Sequence, residues 1–237
     1  MDPLADVPSA REIARNVAMR WAALVATLSI VGLVLTSTSP ASSTRRWDAS
    51  VNSWLAEDRS QQFVIVAKWF SGMADTRPIL GMMALVTIVL ALCRQWWAML
   101  LVPLAMLIEI TTFLAVNYVV GRPRPDVSKI GPIPGTYSFP SGHIAATFVC
   151  WFGAALLLYA FGRFFLSRIV SALAALATVM TGWGRVYLGM HHTLDVVVGL
   201  LMGVAALTIA TRSMHLHLDR DEDDAPPSGS SLIAQSI

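Results

Sequence analysis

The chain has 237 residues, of which 55% are hydrophobic and only 14% charged, with a mean hydropathy of +0.61, so a soluble globular domain is set aside in favour of a membrane protein. Its formal net charge of +2 is spread one or two cations per loop without a basic stripe, which sets aside nucleic acid as a partner.

Residues 1–18 read as a polar amino-terminal segment. It is long and carries three acids beside its arginines, which favours a first membrane span over a cleaved signal peptide for the apolar run that follows. Apolar runs near residues 19–37, 78–93, 96–120, 143–162, 165–184 and 193–211 approach the ~20 residues needed to cross a bilayer. Irregular backbone cannot face lipid, so these runs predict six transmembrane helices in a bundle, an all-α integral membrane domain over residues 19–212. Between the first two spans, Val51, Trp54 and Leu55 recur at helical spacing among Asp48, Glu57 and Asp58, and the segment 47–77 predicts one or two amphipathic helices in the interface. Arg94 and Gln95 form a tight hairpin between the second and third spans, with Trp96 and Trp97 at the interface. Cys93 and Cys150 fall at different membrane depths, which disfavours a disulfide. Residues 213–237, acidic and then rich in Pro, Ser and Gly, read as a disordered tail in which His215 and His217 are solvated.

Three segments carry the chemistry. They are Gly121-Arg122-Pro123-Arg124-Pro125, Pro140-Ser141-Gly142-His143, and Arg185 followed by His191 and Asp195. The first two share the loop between spans three and four, and the third lies between spans five and six. Two spans intervene, so both loops are on one membrane face. Lys and Arg number eight on the amino-terminal side and nine on the other. Setting aside Arg122, Arg124 and Arg185 as candidate anion ligands, and discounting the long first loop, leaves a modest bias for a cytoplasmic amino terminus and an extracytoplasmic site.

The segments supply arginine forks, two histidines, a carboxylate and a turn at a helix amino terminus, where the amides of Ser141, Gly142 and His143 can meet an anion. These are the parts of a phosphoryl transfer that uses no metal or other cofactor. His191 and Asp195 are four apart at the start of a helix, so the carboxylate can hold the imidazole in one tautomer. His192, three before Asp195, satisfies the spacing as well. Carboxylates near these histidines are limited to Asp195 and Asp126, too few for a two-metal site. Glu109, inside the third span, faces the bundle interior or water, because an ionisable group is costly in lipid.

In these motifs the chain resembles the type 2 phosphatidic acid phosphatase superfamily, the lipid phosphate phosphatases, whose motifs read Lys-x6-Arg-Pro, Pro-Ser-Gly-His and Ser-Arg-x5-His-x3-Asp. The second is matched in full. The third is matched at Arg185, His191 and Asp195, with Gly184 where the family usually has Ser. The first keeps Arg124-Pro125 but has Asn117 in place of the Lys. The resemblance implies His191 as the nucleophile that becomes a phosphohistidine, oriented by Asp195, and His143 as the general acid. It further implies that Arg124, Arg185, Ser141 and Gly142 bind phosphate, with Asn117 standing in for the family Lys and Arg122 as a weaker ligand. Lys129 is a candidate to fold back and replace the missing cation. The expected partners are membrane lipids and a phosphorylated lipid substrate. The alternatives are a lipid-phosphate phosphotransferase and a non-catalytic phospholipid binding or transport protein.

Overall fold

The structure, a computed structural model, describes residues 10–37 and 43–214. The polar segment before residue 10 and the tail beyond 214, with His215 and His217, lie outside the described residues. Among those described there are eight α-helices and no strand: α1 Ala10–Ser37, α2 Ser43–Glu57, α3 Gln61–Met73, α4 Thr76–Leu92, α5 Leu101–Val120, α6 Gly142–Ala160, α7 Phe164–Tyr187 and α8 Thr193–Ser213. Residues 10–18, expected as part of a polar lead-in, are the first turns of α1.

Five of these helices are long and apolar enough to cross a membrane: α1, α5 with the short turn before it, α6, α7 and α8. The run expected as the second span differs. At 17 residues α4 is about 26 Å long, short of a ~30 Å hydrocarbon core. It reaches spanning length only with α3, across a 47° bend, and the pair then makes a sixth candidate span. The outward faces are apolar, with Leu107, Ile110 and Leu114 on α5, Leu173, Leu176 and Val179 on α7, and Leu201 and Val204 on α8 exposed. Glu109, Thr112, Asn117, Thr147 and Thr181 are buried instead. Apolar outside and polar inside is the pattern of a multi-pass membrane protein.

Helix α6 lies at the centre, against α5, α7 and α8, and α8 also packs on α1 and α5. Val102, Ala105, Val149, Cys150, Ala206 and Ala210 form the middle of the core. Small residues let α6 and α8 come close: a Cβ at Gly203 would lie 2.9 Å from the Ala145 carbonyl oxygen. That closeness sets the first turn of α6 beside the first turn of α8, where the Ser141 amide donates to the Asp195 carbonyl at 3.0 Å.

The segment expected as an interfacial amphipathic stretch forms two helices of different character. Helix α2 turns Asp48 and Asn52 into the protein and leaves Trp47 and Trp54 51% and 71% exposed. Helix α3 packs along α7. The polar face of α2 goes inward because a buried cation waits there.

Candidate active site

Helix α5 ends at Gly121, whose φ of +60° lets the chain turn out of the helix into the first motif. One turn earlier Asn117 closes the loop that follows. Its amide donates to the carbonyls of Tyr137 and Phe139 at 3.0 and 2.9 Å, and its oxygen accepts from the Tyr137 amide at 3.0 Å. Both amide hydrogens are committed, so Asn117 has no donor for a phosphate and serves as a loop clasp. This corrects its expected place among the phosphate ligands.

Asp195 is the hub beneath the site. It is fully buried and accepts from Arg122 Nη1 at 2.5 Å, the Ser138 hydroxyl at 2.5 Å and the His192 amide at 2.9 Å. The other arm of Arg122 donates to Asp48 at 2.7 Å. Arg122 is therefore spent between two buried carboxylates and does not join the phosphate-facing group, a second correction. A direct bond from Asp195 to His191 is likewise absent: Nδ1 to Oδ2 is 3.8 Å, because the carboxylate's oxygens are taken. Instead His191 Nδ1 lies 2.7 Å from the Ser138 carbonyl. Asp195 thus acts on His191 through Ser138, whose hydroxyl it fixes.

A carbonyl can only accept, so Nδ1 carries the proton and Nε2 of the neutral ring keeps its lone pair. Burial holds the His191 imidazole down at about 4, against an ordinary 6.5, with Arg185 and Arg124 adding to the shift, so the ring is neutral at pH 7. Nε2 lies 3.4 Å from Arg185 Nη2. Arg185 also donates to the Ser71 hydroxyl at 3.1 Å. Arg124 donates to the carbonyls of Met190 and Thr136, at 2.5 and 3.0 Å, and burial lowers the pKa of its guanidinium below the ordinary arginine value. The Nε atoms of both arginines are buried without a partner among the described residues, donors suited to an anion.

Arg124, Gly142, His143, Arg185 and His191 line one cavity of about 220 Å³, whose remaining walls include Ile79, Leu80, Met106, Ile110 and Phe113. Glu109 also lines it and makes no hydrogen bond to another helix among the described residues. Polar groups and an apolar channel meet there, with exposed Leu80, Ile110 and Leu114 at its margin. A larger cavity of about 810 Å³ shares His143 and Arg185 with the first. His192 instead lines a separate cavity with Arg45, Arg46, Arg122 and Arg124, so His191 is the histidine that shares a cavity with Arg185 and His143. Ser141 is buried with its hydroxyl unpartnered and its amide already bonded to Asp195, leaving the amides of Gly142 and His143 as the helix-terminal donors. Lys129 donates to the Val127 carbonyl at 3.3 Å within its own loop and lines neither cavity.

Five supporting residues were not legible from the motifs: Asp48, Asn52, Ser71, Asp75 and Ser138. Asn52 donates to the His191 carbonyl at 3.1 Å. Asp75 lies 3.2 Å from His143 Nε2 and fixes the rotation of that ring. Most of them stand on or beside α2 and α3, whose sequences carry no motif. The inward pattern of Asp48 and Asn52, four apart in a helix, was the available signal.

The model of the PAP2 superfamily matches residues 96–218. Lipid phosphate phosphatase delta from Arabidopsis thaliana is 36% identical over 103 residues, covering 38% of this chain, and the chain spans only 24% of the length of that relative. Among solved structures, a transmembrane PAP2-type phosphatidylglycerolphosphate phosphatase from Bacillus subtilis superposes with a TM-score of 0.70 at 20% identity, covering 79% of this chain and 94% of its own. Aquifex aeolicus LpxE gives a TM-score of 0.53 at 21% identity, covering 69% of this chain and 93% of its own. At these identities the two structures establish a shared fold.

Proposed function

The chain belongs to the PAP2 superfamily, and from that premise we propose that it is an integral membrane phosphatase that removes a terminal phosphate from a lipid phosphate or diphosphate. Candidate substrates are a polyprenyl diphosphate, a phosphatidate, a phosphatidylglycerol phosphate and a polyprenyl-linked sugar phosphate. The observation that carries this reading is the fixed tautomer of His191, with a lone pair on Nε2 beside Arg185 in the cavity that also holds Arg124 and His143.

In the first step His191 Nε2 attacks phosphorus, the bond from phosphorus to the lipid oxygen breaks, and His143 gives that oxygen its proton. Arg124, Arg185 and the amides of Gly142 and His143 stabilise the charge on the transferring group. In the second step water attacks the phosphohistidine, its proton passes to His143, and the phosphorus–nitrogen bond breaks to release inorganic phosphate. The lipid chain would lie along Ile79, Leu80, Ile110 and Phe113, the apolar lining of the same cavity. No metal is required in this scheme, since arginines and helix-terminal amides supply the positive charge. The site faces the extracytoplasmic side of a plasma membrane, on the charge bias of the loops.

The test is phosphate release from these lipids in detergent. We expect turnover that persists in a chelator and falls at least ~10³-fold in His191→Ala, the scale of losing a covalent nucleophile. Chelator inhibition reversed by a divalent metal would overturn the metal-independent scheme. Tight lipid binding without turnover would favour a binding protein, and phosphate found on an acceptor other than water a phosphotransferase.

A further inference from the structure

We propose that the larger cavity is a subsite for a second anionic group on the lipid headgroup, read by Lys68 and Arg77, so that the preferred substrate carries two phosphates. The inference rests on the phosphatase reading and narrows its substrate class.

The two cavities divide the site. Of these two, the smaller, apolar-walled one takes Arg124 and His191 and the larger takes Lys68 and Arg77. His143 and Arg185 line both, and so mark the boundary where the scissile oxygen would sit. At about 810 Å³ the second cavity falls within the ~300–1,000 Å³ of sites that enclose a whole organic ligand, far more than one phosphate needs. It would hold the polar part of a headgroup beyond the reacting phosphate.

Its charge indicates what that part is. Lys68 stands on α3 and Arg77 in the first turn of α4, on either side of the 47° bend, and both are exposed toward the cavity. Neither makes a hydrogen bond or ion pair among the described residues. The carboxylate in the same cavity, Asp75, is engaged with His143 at 3.2 Å and lies in the field of Arg185. Two cations without counter-ions remain in a cavity that residues 130–134 also line. A lysine and an arginine lining one cavity from two helices suit a phosphate oxygen group better than a neutral sugar or choline. Lone cations at span ends anchor lipid headgroups. These two instead share a cavity with the candidate acid.

The experiment compares phosphatidylglycerol phosphate, which carries two phosphates, with phosphatidate of the same acyl chains, in mixed micelles. Wild type is expected to favour the two-phosphate lipid by about tenfold or more in kcat/KM, the size of one or two charge-assisted contacts. In Lys68→Gln/Arg77→Gln the ratio should fall to within about twofold, chiefly through KM, while Lys68→Arg keeps it. A ratio unchanged in the double variant, or no preference in wild type, overturns the subsite and leaves the phosphatase reading standing. Equal loss on both lipids also overturns it, because cations serving the reacting phosphate or the fold act on both. Release from neither lipid by wild type removes the phosphatase reading and this inference with it.

Discussion

Gly184 stands where the resembling motif has serine, and its reason is steric. A Cβ there would lie 2.9 Å from the Ala67 carbonyl oxygen on α3, a backbone atom that cannot swing aside. Helices α3 and α7 therefore touch at this point, and Ser71, one turn along α3, comes within 3.1 Å of Arg185. Gly184→Ser should push the two helices apart, at the ~1–3 kcal/mol typical of overpacking. Thermal denaturation in detergent would show a lower midpoint, and an unchanged midpoint would mean that α3 yields freely. Asn117 is the companion case. The chain has lost the family's cation there, and the amide instead makes three hydrogen bonds that shape residues 137–139, the segment whose Ser138 carbonyl fixes His191. Which polar residue occupies a motif position is legible in a sequence. Whether its donors are free is not, since that depends on backbone groups twenty residues away.

Among the elements, α2 departs most from expectation. Its periodicity marks an amphipathic helix, but periodicity does not say which face meets the protein. Asp48 and Arg122 decide that: an arginine buried beside Asp195 needs a second carboxylate, and α2 supplies it. The helix then presents its tryptophans outward and braces the α7–α8 loop through Asn52. Arg122→Ala would leave Asp48 and Asp195 buried side by side without a counter-charge. Removing one partner of a buried ion pair costs about 3–5 kcal/mol, so this variant should denature at a clearly lower temperature. A midpoint within a degree or two of wild type would show that water or lipid headgroups already neutralise the cluster. The bent pair α3 and α4 escaped the sequence reading for a different reason. Hydropathy registers α4 as a short span, whereas the contribution of α3 comes from packing on α7.

For the whole molecule, the described helices place both motif loops at one end of the bundle, and Cys93, in the tight turn after α4, at the other. If that end faces outward, a membrane-impermeant maleimide on intact cells should label Ile133→Cys in a Cys93→Ala background and leave wild-type Cys93 untouched. Ile133 is 60% exposed and borders the larger cavity, and Cys150 is buried. The opposite labelling pattern would invert the topology. The sequence by itself determined the helical membrane class, the motif residues and their shared membrane face, because hydropathy, span parity and short spacings are local along the chain. Only the tertiary structure decided that His191 shares its cavity with Arg185 and His143, that Asp195 reaches it through Ser138, and that Arg122 and Asn117 turn to structural partners. Those outcomes depend on which buried donor meets which acceptor, and each pairing joins helices far apart in sequence through contacts that no local pattern encodes.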